Sequence, residues 1–434
     1  MIKICALSQN YFSGQNKNNT PSFNANAAFD IGTSRKPANI GGTVDGKEII
    51  QKGTPLFEGY DVTPEGMLKA LALMTKISLK GQEQEENNVA FALPGAVKGG
   101  HCYPPNIINP ETKKPIGAIP VDKEKFLGQF DVKNLNIKNV IFFNDGAFWG
   151  GLSLLKLAKS EDLSKLFPDG TETPYIFPGG GLGVGEIRGR KDTIEIVPRE
   201  KGHLLYRGTD KSIEQVATSV PAMIGNYARA LGLNDEKAQA LGKIGDGKLV
   251  TQREIQLDVS NEKDNAFYEK LSDSKYAEAE NATVLSLFDK KRDGNTIKLT
   301  LKDNSGNPID DSKHKTAFVH AADKFYSGVG QVIADFVNGA KTDKAVLTGA
   351  FIGFVMKKSR EVGQNPEQLI KAHMMNNLDD CGKNNLVGNS DKFLLLHVPA
   401  MDATAGGELI AQSKVGGDSA YYSIDRNILA NTKV

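Results

Sequence analysis

Apolar positions fall in short blocks, many ending on glycine, asparagine or aspartate. Ala27-Ala28-Phe29-Asp30-Ile31-Gly32-Thr33 is an apolar run that stops at Asp and Gly, and it predicts a strand entering a tight turn. Asn39 to Val44, followed by Asp45-Gly46, predicts a second strand and a hairpin turn, with Glu48-Ile49-Ile50 opening a third strand. Thr63 to Ser78 is amphipathic at helical spacing. Thr63 is placed to cap it, Pro64 suits its first position, and Glu65 suits its positive end. Val89-Ala90-Phe91-Ala92-Leu93-Pro94-Gly95 predicts a buried strand ending in a turn. Val140-Ile141-Phe142-Phe143 predicts another, running into Asn144-Asp145-Gly146.

The same order then recurs. Tyr175-Ile176-Phe177 leads into Gly179-Gly180-Gly181-Leu182-Gly183, and Glu186 to Arg188 and Thr193 to Val197 follow as strands. Helices come next, then Lys344 to Gly349 and Phe393 to Val398 as strands. A duplicated mixed sheet with helices implies an α/β fold of two similar lobes around a cleft. The expected division is a flexible polar leader at 1–26, a small lobe at 27–142 completed by a C-terminal helix near 405–420, and a large lobe at 143–404. Within the large lobe, 234–312 is rich in Lys, Asp, Glu and Asn, with turn signals at Asp246-Gly247 and Asp293-Gly294. It predicts an inserted helical and hairpin subdomain.

Composition narrows the class. The chain has 434 residues, more than one ordinary domain, with 39% hydrophobic and 24% charged residues, enough for a sizeable core. A formal net charge of +1 provides no global basic field for nucleic acid. Cys5, Cys102 and Cys381 are scattered, which excludes a CxxC knuckle and predicts free thiols in a reducing, cytoplasmic setting. No apolar run approaches the ~20 residues of a bilayer span, and the start lacks a signal-peptide core.

Several residues could carry chemistry. The Gly179–Gly183 run follows a strand, and glycines let backbone N–H groups approach an anion; a plain glycine hairpin is the other reading. Asp30-Ile31-Gly32-Thr33 could hold a metal-bound water and phosphate oxygens, or be an ordinary polar turn. Thr348-Gly349 is a weaker signal of the same kind, because strand–Gly–helix junctions are common in packing. At Asn144-Asp145 four apolar residues lead into an amide and a carboxylate. Asp145 could deprotonate a hydroxyl, with a reference pKa of about 3.9, or cap the following helix. Glu200, His203 and Glu214 suit a polyol, whose hydroxyls donate to carboxylates and accept from a ring N–H. They could equally be solvated charges, and their spacing does not favour a metal site.

Taken in order, these pieces resemble the ROK family of sugar kinases, within the actin–hexokinase ATPase superfamily. That family's first phosphate loop, D-x-G-G-T, is matched imperfectly by Asp30-Ile31-Gly32-Thr33-Ser34. Its P-G and P-N pairs match Pro94-Gly95 and Pro105-Asn106, and its N-D matches Asn144-Asp145. The second loop, G-T-G-x-G, matches Gly179-Gly180-Gly181-Leu182-Gly183, and E-x-G-H matches Glu200-Lys201-Gly202-His203. Glu214 falls in a loose match to L-E-x-x-A-S, Gly349 in the adenosine-side strand, and Ala405-Gly406-Gly407-Glu408 in the closing helix.

The resemblance implies two ribonuclease-H-like lobes with mixed sheets around a central cleft. It implies a glucokinase-like hexose kinase using ATP and Mg²⁺, with Asp145 as base and Asn106, Asn144, Glu200, His203 and Glu214 on the sugar. Asp30, Gly32, Thr33, Gly179, Gly180, Gly181, Gly183 and Gly349 would hold the nucleotide, with Asp30 reaching Mg²⁺ through water. Its partners would be a small sugar and a nucleotide, without nucleic acid or membrane, and dimers are usual in that family. Two departures stand out. No cysteine lies in the eleven positions from His203 to Glu214 (214 − 203), so the family's zinc loop is missing and no zinc site is expected. Gly180 stands where the family has Thr, and Thr33-Ser34 where it has Gly-Thr. Alternatives are a catalytically impaired sugar- or nucleotide-binding relative, an actin-like ATPase, or a sugar-sensing regulator, for whose helix-turn-helix the stretch before Ala27 is too short and polar.

Overall fold

The first strand, β1 (Asn24–Gly32), starts three residues inside the stretch assigned to a leader. Those residues pair in parallel with Glu86–Asn88, and the Asn88 side-chain amide donates to Asn26 Oδ1 at 3.0 Å. A side-chain bridge thus holds polar residues in a strand that composition alone reads as unstructured. The computed structural model describes residues 24–32, 37–159, 161–199, 205–207, 213–215, 218–276, 283–340, 342–386, 393–398, 404–416 and 421–431.

In the first lobe β1 is followed by β2 (Asn39–Val44), β3 (Lys47–Pro55), helix α1 (Pro64–Ser78), β4 (Glu86–Leu93) and β5 (Ile137–Asn144). Thr63 caps α1, its side chain accepting from the Gly66 N–H at 3.1 Å, and Pro64 opens the helix. The sheet order is β3-β2-β1-β4-β5, with β1, β2 and β3 antiparallel and β1, β4 and β5 parallel.

The second lobe repeats this. Helix α2 (Gly146–Ala158) leads to β6 (Glu172–Pro178), β7 (Leu182–Gly189) and β8 (Thr193–Arg199), an antiparallel meander. Helices α3 (Val220–Ala230) and α4 (Asp311–Gly339) follow, then β9 (Lys344–Thr348), helix α5 (Ala350–Glu361) and β10 (Leu394–Val398). Its core order is β8-β7-β6-β9-β10, with β6, β9 and β10 parallel. Helix α6 (Thr404–Ala411) precedes β11 (Lys414–Gly416) and β12 (Tyr421–Asp425), which extend the sheet beyond β8. Two mixed sheets with one shared strand order make an α/β fold of two ribonuclease-H-like lobes.

The lobes meet through α2 and α6. The α6 helix packs on β1, β2 and β4 of the first sheet and against α2, which lies on the second. Their crossing needs small residues: a Cβ on Gly406 would stand 2.0 Å from the Phe148 carbonyl oxygen. One apolar cluster therefore runs through both lobes, with Ala28, Ala90 and Phe143 from the first sheet and Tyr175, Ile187 and Ile196 from the second. Each large side chain buried here stabilises by roughly 1.5–3 kcal/mol. Glu408 of α6 reaches back to the β2–β3 turn, accepting from Thr43 Oγ1 and the Gly46 N–H.

The polar stretch at 234–312 forms helices and a three-stranded antiparallel sheet of Glu254–Asp258, Thr296–Leu301 and Phe288–Asp293. Its inward residues Ile255, Leu257, Ile297 and Leu299 join the core of α3 and α4. The insertion thus shares one core with the large lobe. Among the described residues no helix is long and apolar enough to cross a membrane.

Candidate active site

Strand β5 carries the chain out of the first lobe and stops at Asn144. Asn144 Oδ1 accepts from the Gly146 N–H at 2.8 Å, and its Nδ2 donates to the Gly95 carbonyl at 3.0 Å. The Asp145 N–H donates to the Leu93 carbonyl at 3.2 Å. These bonds lock the β5–α2 junction to the end of β4. Asp145 itself has helical backbone angles (φ −53°, ψ −28°) and makes no side-chain capping bond. Of the two roles open to Asp145, the cap belongs instead to its neighbour.

The junction lines a cleft of about 420 Å³ between the lobes. The first lobe and the crossing contribute Gly95, Asn106 and Asn144-Asp145; the second contributes the Gly179–Gly183 loop, Arg199 and Gly349. Eight of the expected site residues thus come together: Asn106, Asn144, Asp145, Gly179, Gly180, Gly181, Gly183 and Gly349. Gly349 has φ +99°, a conformation that L side chains rarely adopt, and it starts α5.

The glycines of the loop differ in kind. A Cβ on Gly179 or Gly180 would meet nothing within 4 Å, so both leave room for a ligand against the backbone. Gly183 is a packing residue. It pairs across the ladder with Phe177, whose ring would lie 1.8 Å from its Cβ. The Phe177 ring is stacked between Tyr175 (6.1 Å, 20°) and Trp149 (5.9 Å, 22°). The loop is also tied internally: the Gly179 N–H donates to the Gly181 carbonyl at 2.8 Å, and the Gly179 carbonyl accepts from the Val220 N–H at 2.8 Å.

The motifs missed Trp149, Phe177 and Arg199. Trp149 lies one helical turn beyond Asp145, a spacing visible in the sequence. Arg199 Nε and Nη2 donate to the two carboxylate oxygens of Glu186 at 2.9 and 3.1 Å, and Arg188 Nη2 and Nε hold the same group at 2.7 and 3.0 Å. The hydrogen bond to Glu186 raises the Arg199 pKa above its ordinary value. Glu186, two residues before Arg188 in a buried strand, signals such a pairing, because a buried carboxylate needs cationic partners. Burial, above all, pushes the Tyr175 hydroxyl well above its usual range, and that oxygen has no hydrogen-bond partner among the described residues.

Other expected residues lie elsewhere. Asp30 forms an ion pair with Lys52 at 3.5 Å, and neither Asp30 nor Gly32 is among the residues lining the cleft. Thr33, Glu200 and His203 lie outside the described residues. Glu214 is in a short strand (Ile213–Gln215) with its backbone opposite Tyr206; its side chain lies outside the description. Among the described residues, no group of three or more His, Cys, Asp and Glu side chains converges as a metal site. Asp145 is the one carboxylate among the described residues lining the cleft. These residues therefore do not form a protein-held Mg²⁺ site. The open backbone at Gly179-Gly180 does fit nucleotide phosphates.

No family model and no curated protein matches the chain. Similar solved structures include a ROK family glucokinase from Streptomyces griseus in complex with glucose and AMPPNP (14% identity, 88% of this chain and 97% of that one, TM-score 0.42). A glucokinase from Balamuthia mandrillaris in complex with glucose is another (13% identity, 90% and 94%, TM-score 0.49). A third is a ROK family transcriptional regulator homologous to the E. coli MLC protein (12% identity, 89% and 77%, TM-score 0.46). The fold assignment rests on the repeated strand order.

Proposed function

We propose that the protein is a sugar kinase that transfers the γ-phosphoryl group of ATP to a sugar hydroxyl. The observation that carries this reading is the meeting, in one cleft, of the Asp145 carboxylate with an open glycine loop. The sugar hydroxyl oxygen attacks the γ-phosphorus, the bond to the β–γ bridging oxygen breaks, and ADP leaves. The hydroxyl proton passes to the Asp145 carboxylate. Asn144 fixes Asp145 by tying the junction on both sides, a positioning role rather than direct sugar contact. Asn106 lies on the sugar side and Gly179-Gly180 on the phosphate side. Glu200, His203 and Glu214 complete the sugar site in this reading.

ADP release with ATP, Mg²⁺ and a panel of hexoses tests it. Asp145→Asn should lower kcat by about 10²–10⁴-fold, the usual contribution of a general base, while calorimetry still detects sugar binding. Near-normal turnover of that variant would sink the assignment. A second reading, a binding protein without turnover, is favoured by the Gly179–Gly181 loop, which carries no hydroxyl, and by the engagement of Asp30 with Lys52. Sugar binding without ADP release for any hexose would select it.

A further inference from the structure

A nucleoside triphosphate brings several negative charges into a cleft that already holds the Asp145 carboxylate. Among the described residues lining the cleft, Arg199 is the one cation. The glycine loop contributes less than its composition suggests. It carries no hydroxyl, and the Gly179 N–H is used within the loop, donating to the Gly181 carbonyl at 2.8 Å.

We propose that Arg199 binds the terminal phosphates of the donor, in place of the hydroxyl that the loop lacks. Arg199 ends β8 and pairs with Val184, two positions beyond Leu182, where the chain leaves the glycine loop. Its Nε–Nη2 edge is fixed by Glu186, and Nη1 makes no hydrogen bond among the described residues. The Arg199 side chain is 41% exposed, whereas that of Glu186 is 9% exposed. Arg188 contacts the same carboxylate through two nitrogens at 2.7 and 3.0 Å and also reaches Glu172 at 3.2 Å, so Glu186 does not depend on Arg199 alone. A guanidinium held along one edge loses less freedom on binding a phosphate, and its charge-assisted bonds are stronger than neutral ones. The proposal rests on the sugar-kinase reading for the identity of the donor.

Equilibrium binding without sugar tests it, using β,γ-imido-ATP, inorganic tripolyphosphate and adenosine as separate probes. Arg199→Ala should weaken both phosphate probes about tenfold or more, as loss of charged hydrogen bonds implies, and leave adenosine unchanged. Wild-type affinity for tripolyphosphate should fall with added salt more steeply than that of the variant. If Arg199→Ala does not fold, Arg199→Lys takes its place. It keeps the charge but not the fork, and should weaken both phosphate probes several-fold with adenosine unchanged. Phosphate affinity equal to wild type in the folded variant overturns the proposal alone. So does loss of adenosine binding by the same factor, since a merely structural arginine would produce that. Wild-type protein that binds no triphosphate and releases no ADP overturns this proposal and the kinase reading together. Binding that depends on Arg199, with no sugar-dependent ADP release, supports the arginine and sinks the kinase reading.

Discussion

The end of β1 and the β6–β7 connection hold the same place in two sheets of one strand order, yet their surroundings differ. In the second lobe three glycines span Pro178 to Leu182, and the first two have empty space where a side chain would stand. In the first lobe a Cβ on Gly32 would come within 3.1 Å of the Asn39 side-chain amide, and Asp30 is drawn to Lys52 of β3. Gly179 and Gly180 have open space beside them, whereas Gly32 has the Asn39 side chain close against it. Duplicated topology has therefore not produced duplicated surroundings at these glycines. This difference fits the proposal that the donor phosphates bind against the second lobe.

The largest effect should come from breaking the open loop's support. Gly183→Val places a branched side chain where the Phe177 ring lies 1.8 Å from the Cβ position. Overpacking of this kind costs about 1–3 kcal/mol or more, so the denaturation midpoint should fall clearly. Gly180→Ala, where an added Cβ would meet nothing within 4 Å, should stay within about 0.5 kcal/mol of wild type. Equal losses in the two variants would erase the distinction between packing glycines and open ones. A smaller effect should follow from Gly180→Thr, which returns a hydroxyl to the loop. One added hydrogen bond of about 1 kcal/mol corresponds to roughly fivefold tighter donor binding. Unchanged affinity for β,γ-imido-ATP would remove the loop from the phosphate site.

Much of this could be read from local pattern. The strand end at Asn144, the strand end near Phe177 (one residue on, at Pro178) and the cap at Thr63 are short-range features that the structure shows. What could not be read depends on pairing across distance. Asn24–Asn26 look unstructured until β4 supplies Asn88 as a partner. Gly183 reads as a phosphate-loop glycine until the ladder sets Phe177 over it. The cap at the β5–α2 junction falls one residue earlier than Asp145, a matter of backbone angles rather than residue type. Glu186 signals a cationic partner, but that Arg199 is one depends on its place thirteen positions later (199 − 186) on a neighbouring strand.

The smallest effect, and the sharpest test of the asymmetry, lies at the end of β1. The Lys52–Asp30 pair is solvent-facing, with side chains 53% and 25% exposed. Such pairs contribute about 0–1 kcal/mol, so Lys52→Met should barely move the unfolding midpoint. Asp30→Asn removes the charge the resemblance assigns to a magnesium-bound water. If the anion-receiving wall is the second lobe's, that variant should keep kcat within about twofold of wild type, a barrier change under ~0.5 kcal/mol. A loss of tenfold or more, with the midpoint unchanged, would instead place Asp30 at the reacting phosphates or their metal. Lys52→Met then separates the remaining explanations. If Lys52 holds Asp30 away from the cleft, releasing it should raise the sensitivity of turnover to Mg²⁺ concentration. If the pair is only a surface contact, that dependence should stay as it is in the wild type.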